Sequence, residues 1–158
     1  MAVRDISENT MSFELDYDNV VHLDAESLAE GGVKAAYDAL LPRLLQFISS
    51  PTPVVELIDE QAPSYSVRHG KQEYLIYGPD LDNDEDDSWG RATLVFFTIV
   101  NTQLRSSTHR LFALNGGNDL MGIFLTESEA QEARKTLPQR TDWPYLPENS
   151  HPWYGQYH

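Results

Sequence analysis

Apolar and polar positions along this chain repeat at two different periods, and the period changes where the elements change. In residues 11–19, "MSFELDYDN", Phe13, Leu15 and Tyr17 fall on one side of a two-residue repeat, and Glu14, Asp16 and Asp18 on the other. That alternation predicts a strand with one buried face and one acidic, wet face. From residue 23 to residue 50 the repeat lengthens. Val33, Ala36, Tyr37, Leu40, Leu41, Leu44 and Ile48 recur at helical spacing and predict the main helix, with Ser27 and Glu30 spaced for a capping box. Gly31, Gly32 and Pro42 all resist a straight helix, so a late start or a kink is expected.

Strand patterns then resume. "SPTPVVELIDE" predicts a strand after two prolines, and "SYSVRHGKQEYLIYG" a hairpin turning near His69, Gly70 and Lys71. "RATLVFFTIVNTQL" is β-branched and aromatic, and its middle is apolar on both faces. It is expected as the central strand, bent or bulged because it exceeds the common strand length of about 5–6 residues. "HRLFALNGGNDLMGIFLT" predicts a second hairpin, with residues 115–118 as its turn. Thr126 and Glu129 form a capping-box pattern that opens a short helix, with Arg134 and Lys135 near its end, where the helix dipole favours cations.

This order predicts an α+β domain: an antiparallel, bent β-sheet with one main helix and a short C-terminal helix packed on it. No repeat or linker divides residues 1–158, which are read as one domain with polar, frayed residues at 1–10. Residues 138–158 form a proline-rich tail carrying Trp143, Tyr145, Trp153, Tyr154 and Tyr157. Aromatics that dense rarely stay in water, so the tail is expected to lie extended on the sheet. An exposed recognition arm, or a docking arm for a larger assembly, is the alternative.

Charge changes the picture of what the domain meets. Lys plus Arg number 11 and Asp plus Glu 25, a formal net charge of −14. An excess of that size disfavours direct binding to nucleic acid or to anionic membranes. It favours steered association with a basic partner, although acidity also simply maintains solubility. With no cysteines, the chain has no disulfides, thiolate zinc sites or thiol nucleophiles. "MAVRDISENTMSF" lacks the apolar stretch of a signal peptide and no apolar run is long enough to span a bilayer, so a cytoplasmic protein is expected.

The excess concentrates in "GPDLDNDEDDSWG", where Asp80, Asp82, Asp84, Glu85, Asp86 and Asp87 are packed into eight residues. Asp80, Asp82 and Asp84 match the first ligand positions of a calcium loop. The sixth position is Glu85 rather than Gly and the twelfth is Arg91 rather than Glu, so an EF-hand fails; only an irregular oxygen-ligand site stays open. The other readings are a solvated loop between two strands and a contact surface for a basic partner. Trp89 at the edge of the stretch suits either an interface anchor or a core residue closing the loop.

No catalytic or metal motif is present. His22, His69, His109, His151 and His158 form neither HxxxH nor HExxH, and the chain has no GxSxG elbow, P-loop or dinucleotide fingerprint. No catalytic residue, metal ligand or cofactor is therefore assigned. A small enzyme or ligand-binding domain is the alternative, with a pocket between helix and sheet lined by Tyr37, Tyr74 and Phe97, and His69 or His109 as acid–base groups.

Taken together, the acidic "DLDNDEDD", the segments "RATLVFFTIVNTQL" and "HRLFALNGGNDLMGIFLT", and the closing "TESEAQEARKTLPQRTDW" resemble the small acidic immunity proteins that accompany bacterial toxins. The resemblance implies a non-enzymatic, cytoplasmic inhibitor that occludes the active site of a cognate toxin. If that toxin acts on nucleic acid, carboxylates would stand in for phosphate. On this reading Asp80, Asp82, Asp84, Glu85, Asp86, Asp87 and Trp89 contact the partner.

Overall fold

The computed structural model describes residues 13–81 and 85–158. Its elements run β1 (Val21–His22), α1 (Val33–Leu44), β2 (Val54–Asp59), β3 (Ser64–His69), β4 (Gln72–Tyr77), α2 (Glu85–Gln103), β5 (His109–Leu114), β6 (Met121–Thr126) and α3 (Glu127–Thr136). The class is α+β. The strands form two antiparallel three-stranded sheets, β1-β6-β5 and β2-β3-β4, rather than one bent sheet. The expected frayed terminus at 1–10 lies outside the described residues.

The largest correction concerns "RATLVFFTIVNTQL". It lies in α2, a helix of 19 residues, not in a central strand. The residue types favour strand, but Ala92, Val95, Phe96, Ile99, Val100 and Leu104 are all buried, and their spacing of three and four is helical. Phe97 is buried too, so the helix is apolar around most of its girth, as a helix between two layers must be. α2 touches both β4 and β5, and so bridges the sheets. The acidic stretch is accordingly not a loop between strands. It leaves β4 through a turn closed by Leu81 N–H donating to the Gly78 carbonyl at 3.1 Å, then enters the first turn of α2.

Residues 13–16 are irregular and Tyr17–Asn19 is a 3-10 turn, so the expected first strand does not form. Leu15 is buried as the alternation requires, but Tyr17 is 51% exposed. Asp16 explains the break. Its carboxylate accepts from Asp18 N–H at 3.2 Å and from the Asn19 amide, a local bond that competes with strand pairing.

The helix expected over residues 23–50 is broken as the glycines suggest. Ala25–Ser27 makes one helical turn, Leu28–Gly32 is wound irregularly, and Gly31 takes φ +92 before α1 begins at Val33. The capping box expected at Ser27 and Glu30 is not made. Asp24 caps that first turn instead, accepting from Glu26 N–H at 3.0 Å. α1 takes its cap from the neighbouring sheet. Val33 N–H donates to Tyr65 Oη at 3.1 Å, Tyr65 Oη donates to Glu56 Oε2 at 2.6 Å, and Lys34 N–H donates to the same oxygen at 3.3 Å. A carboxylate thereby meets the positive end of the helix dipole.

Both hairpins form where the turn residues place them, with Gly70 at φ +62 and Gly117 at φ +60. The Thr126–Glu129 capping box opens α3. One core gathers α1, α2, the inner faces of β2–β4, and Leu111 and Ala113 of β5. A second packs Phe112, Leu114, Ile123 and Leu125 against Ala130 and Ala133 of α3, with Leu15 and Val20 alongside.

The free edge of β5 is closed at alternate residues. His109 N–H donates to Ser107 Oγ at 3.0 Å. The Asn101 amide of α2 accepts from Leu111 N–H at 2.7 Å and donates to its carbonyl at 3.0 Å, which mimics a strand. Ala113 exchanges both backbone bonds with Tyr145 of the tail. Beyond Tyr145 the tail turns onto α2, where Tyr154 is buried.

Candidate functional site

The acidic residues singled out in the sequence are divided among different surroundings. Asp80 is exposed in the turn after β4. Asp82 and Asp84 lie outside the described residues, while Glu85 and Asp86 belong to the first turn of α2. Asp87 points toward the tail. Its carboxylate is 14% exposed and lies 2.5 Å from His151 Nδ1. Trp89 is half-buried, packed against the main core. The structure therefore separates Asp80, which faces solvent, from Asp87 and Trp89, which are engaged within the molecule.

A different acidic face lies at residues 14–18. Glu14, Asp16 and Asp18 are exposed and flank the exposed Tyr17. Partial burial, and then the nearby Asp142 carboxylate, push the Tyr17 phenol above its ordinary pKa. The sequence named these carboxylates for a strand face; the irregular backbone that presents them came from Asp16, a signal readable as an Asx turn.

The three residues expected to line a pocket between helix and sheet are core residues. Tyr37 and Phe97 are 1% exposed and Tyr74 packs against the same core, so the three share no common pocket; Phe97 borders a cleft of about 320 Å³ between α2, Arg110 of β5 and Leu146 and Pro147 of the tail. Clefts open instead at the ends of the helices. One, of about 370 Å³, lies between residues 13–19 and the β5–β6 hairpin, and is lined by Arg43, Phe47, His109 and Glu129 among others. The His109 ring stands 4.8 Å from that of Phe47.

A wider cleft of about 880 Å³ lies where the C-terminal ends of α1 and α2 meet the end of β3. Its floor is a closed ring of hydrogen bonds. Thr52 N–H donates to Gln103 Oε1 at 2.8 Å, Gln103 Nε2 donates to Tyr37 Oη at 2.9 Å, and Tyr37 Oη donates to the Thr52 carbonyl at 2.7 Å. His69 lines the same cleft, is 9% exposed, and its Nε2 has no hydrogen-bond partner among the described residues. Burial pulls the imidazole below its ordinary pKa, partly offset by the Gln103 side chain.

No protein-family model, curated protein or solved structure matches the chain. Among the described residues no group of three or more His, Asp or Glu is placed to hold a metal ion, and no helix is long and apolar enough to cross a membrane.

Proposed function

We propose that this protein is a non-enzymatic binding protein that engages a basic protein partner, acting as an immunity-type inhibitor that occludes the active site of a bacterial toxin. The observation that carries the reading is the exposed carboxylate row Glu14, Asp16 and Asp18 around the half-exposed Tyr17, on a chain of net charge −14. Clustered carboxylates accelerate encounter with a cationic surface, and a protruding aromatic among them slows dissociation. Asp80, turned to solvent after β4, adds to the overall negative charge. Asp87 and Trp89 act in this reading as supports, since each is held within the fold.

The test is to recover the protein from its native cells at low and at high salt and identify what accompanies it. One stoichiometric partner with a basic cleft, retained at low salt and released at high salt, is expected. Glu14→Gln, Asp16→Asn and Asp18→Asn together should then slow association and flatten its salt dependence. Recovery of no partner under either condition overturns the proposal.

A further inference from the structure

The wide cleft at the helix C-termini is set apart from the rest of the molecule by its charge. The chain carries 25 carboxylates, yet residues 39–55 and 88–118, which build nearly all of this cleft, contain none. The single formal charge among the lining residues is Arg105, and Ser50, Thr102, Ser106 and Ser107 line the same cleft. Arg105 is exposed and makes no ion pair or hydrogen bond among the described residues, whereas Lys34, Arg134 and Lys135 are each paired with a carboxylate.

Two further features suit this cleft to an anion. The negative end of the α2 dipole faces it and would repel one, but Arg110 Nη1 donates to the carbonyls of Leu104, Ser107 and His109 at 2.7, 3.0 and 2.9 Å and neutralises that end. At the floor, the unpartnered Nε2 of the buried His69 is a polar group that remains costly until something bonds to it. The ring of Thr52, Gln103 and Tyr37 keeps that floor in place without a ligand.

We propose that the cleft is a binding site for a small molecule carrying an oxyanion, a carboxylate or phosphate group, which pairs with Arg105 and receives a hydrogen bond from His69 Nε2. Arg is suited to this role because its planar fork matches either oxyanion. The overall negative charge does not forbid it, because exposed charges beyond about 8–10 Å are largely screened at physiological salt. The site is independent of the acidic face proposed for the protein partner.

The experiment is a titration of the full chain, labelled with ¹⁵N in its histidines, with inorganic phosphate and separately with acetate, at fixed pH and at ionic strength matched with chloride. A saturable shift of the His69 imidazole nitrogens with at least one oxyanion, absent with chloride, is expected. Arg105→Ala changes an exposed side chain and should keep the fold, and it should weaken the apparent affinity by about tenfold, the loss of one charge-assisted contact. No saturable shift with either anion overturns the assignment, as does a shift of equal strength in the Arg105→Ala protein.

Discussion

The ring of Tyr154, in the C-terminal tail, lies directly on the backbone of Gly90 in the second turn of α2, leaving no room for a β-carbon there. A glycine inside a helix ordinarily costs about 1 kcal/mol relative to alanine. Here it lets a tyrosine bury itself against the helix, and so joins the last residues of the chain to the element that bridges both sheets.

Gly90→Ala is therefore expected to destabilise, by about 1–3 kcal/mol, through overpacking. In a Tyr154→Ala background the sign should reverse, because only the helix-propensity gain of about 1 kcal/mol is left. Urea denaturation of the four proteins of this cycle measures the coupling. Simple additivity would show that the ring does not rest on Gly90.

Truncation after Leu146 removes Tyr154, Tyr157 and His151, the partner of Asp87. Trp143 and Tyr145 remain, and Tyr145 still pairs with Ala113. The shortened chain should fold with a lower denaturation midpoint, the loss being about 3 kcal/mol or more, in the range of a buried aromatic deletion. An unchanged midpoint would make the tail an arm rather than part of the fold.

Asn101 meets both backbone groups of Leu111, a fully buried residue. Asn101→Leu leaves a donor and an acceptor unsatisfied and should cost about 2–6 kcal/mol, from about 1–3 for each group. Thr126→Ala removes only a cap and should cost about 1 kcal/mol. Thermal or urea denaturation ranks the two; the reverse order would contradict the edge pairing.

Stability should fall at both ends of the pH scale for identifiable reasons. Burial raises the phenols of Tyr37, Tyr65, Tyr145 and Tyr154 above their ordinary 10.0. The unfolded chain then loses protons first, so stability is complete below pH 10 and declines as pH rises beyond it. Tyr65→Phe should reduce that alkaline slope while costing about 1–3 kcal/mol at neutral pH, because Val33 N–H and Glu56 lose their common partner. His69 behaves oppositely. Its pKa is lowered from 6.5, so its contribution is complete above pH 6.5 and is lost as pH falls below that value. An NMR titration showing His69 protonated at pH 6.5 in the folded protein would contradict its burial.

What the sequence disclosed depended on whether local chemistry or tertiary context decided the outcome. The hairpins at Gly70 and at residues 115–118, the Thr126–Glu129 cap and the break at Gly31 and Gly32 are local, and each was legible. Residues 91–104 were misread because their β-branched and aromatic composition suits a strand, while the spacing of Ala92, Val95, Phe96, Ile99 and Val100 records a buried helix. The alternation at residues 13–17 failed for the opposite reason, since the side chain of Asp16 bonded its own neighbours. Of the candidate site, the acidic residues were visible but not their division between solvent and interior. The carboxylate-free segments were equally visible, yet only folding brings them together around His69.

Sealing β5 with a serine hydroxyl, an asparagine amide and a stretch of tail has a consequence for the company this molecule keeps. A sheet grows by accepting another strand along a bare margin, and on that side no margin is left. Two copies that collide there meet as finished surfaces and separate again. Only a truncation that reached Tyr145 itself would bare the backbone of Ala113 to another strand.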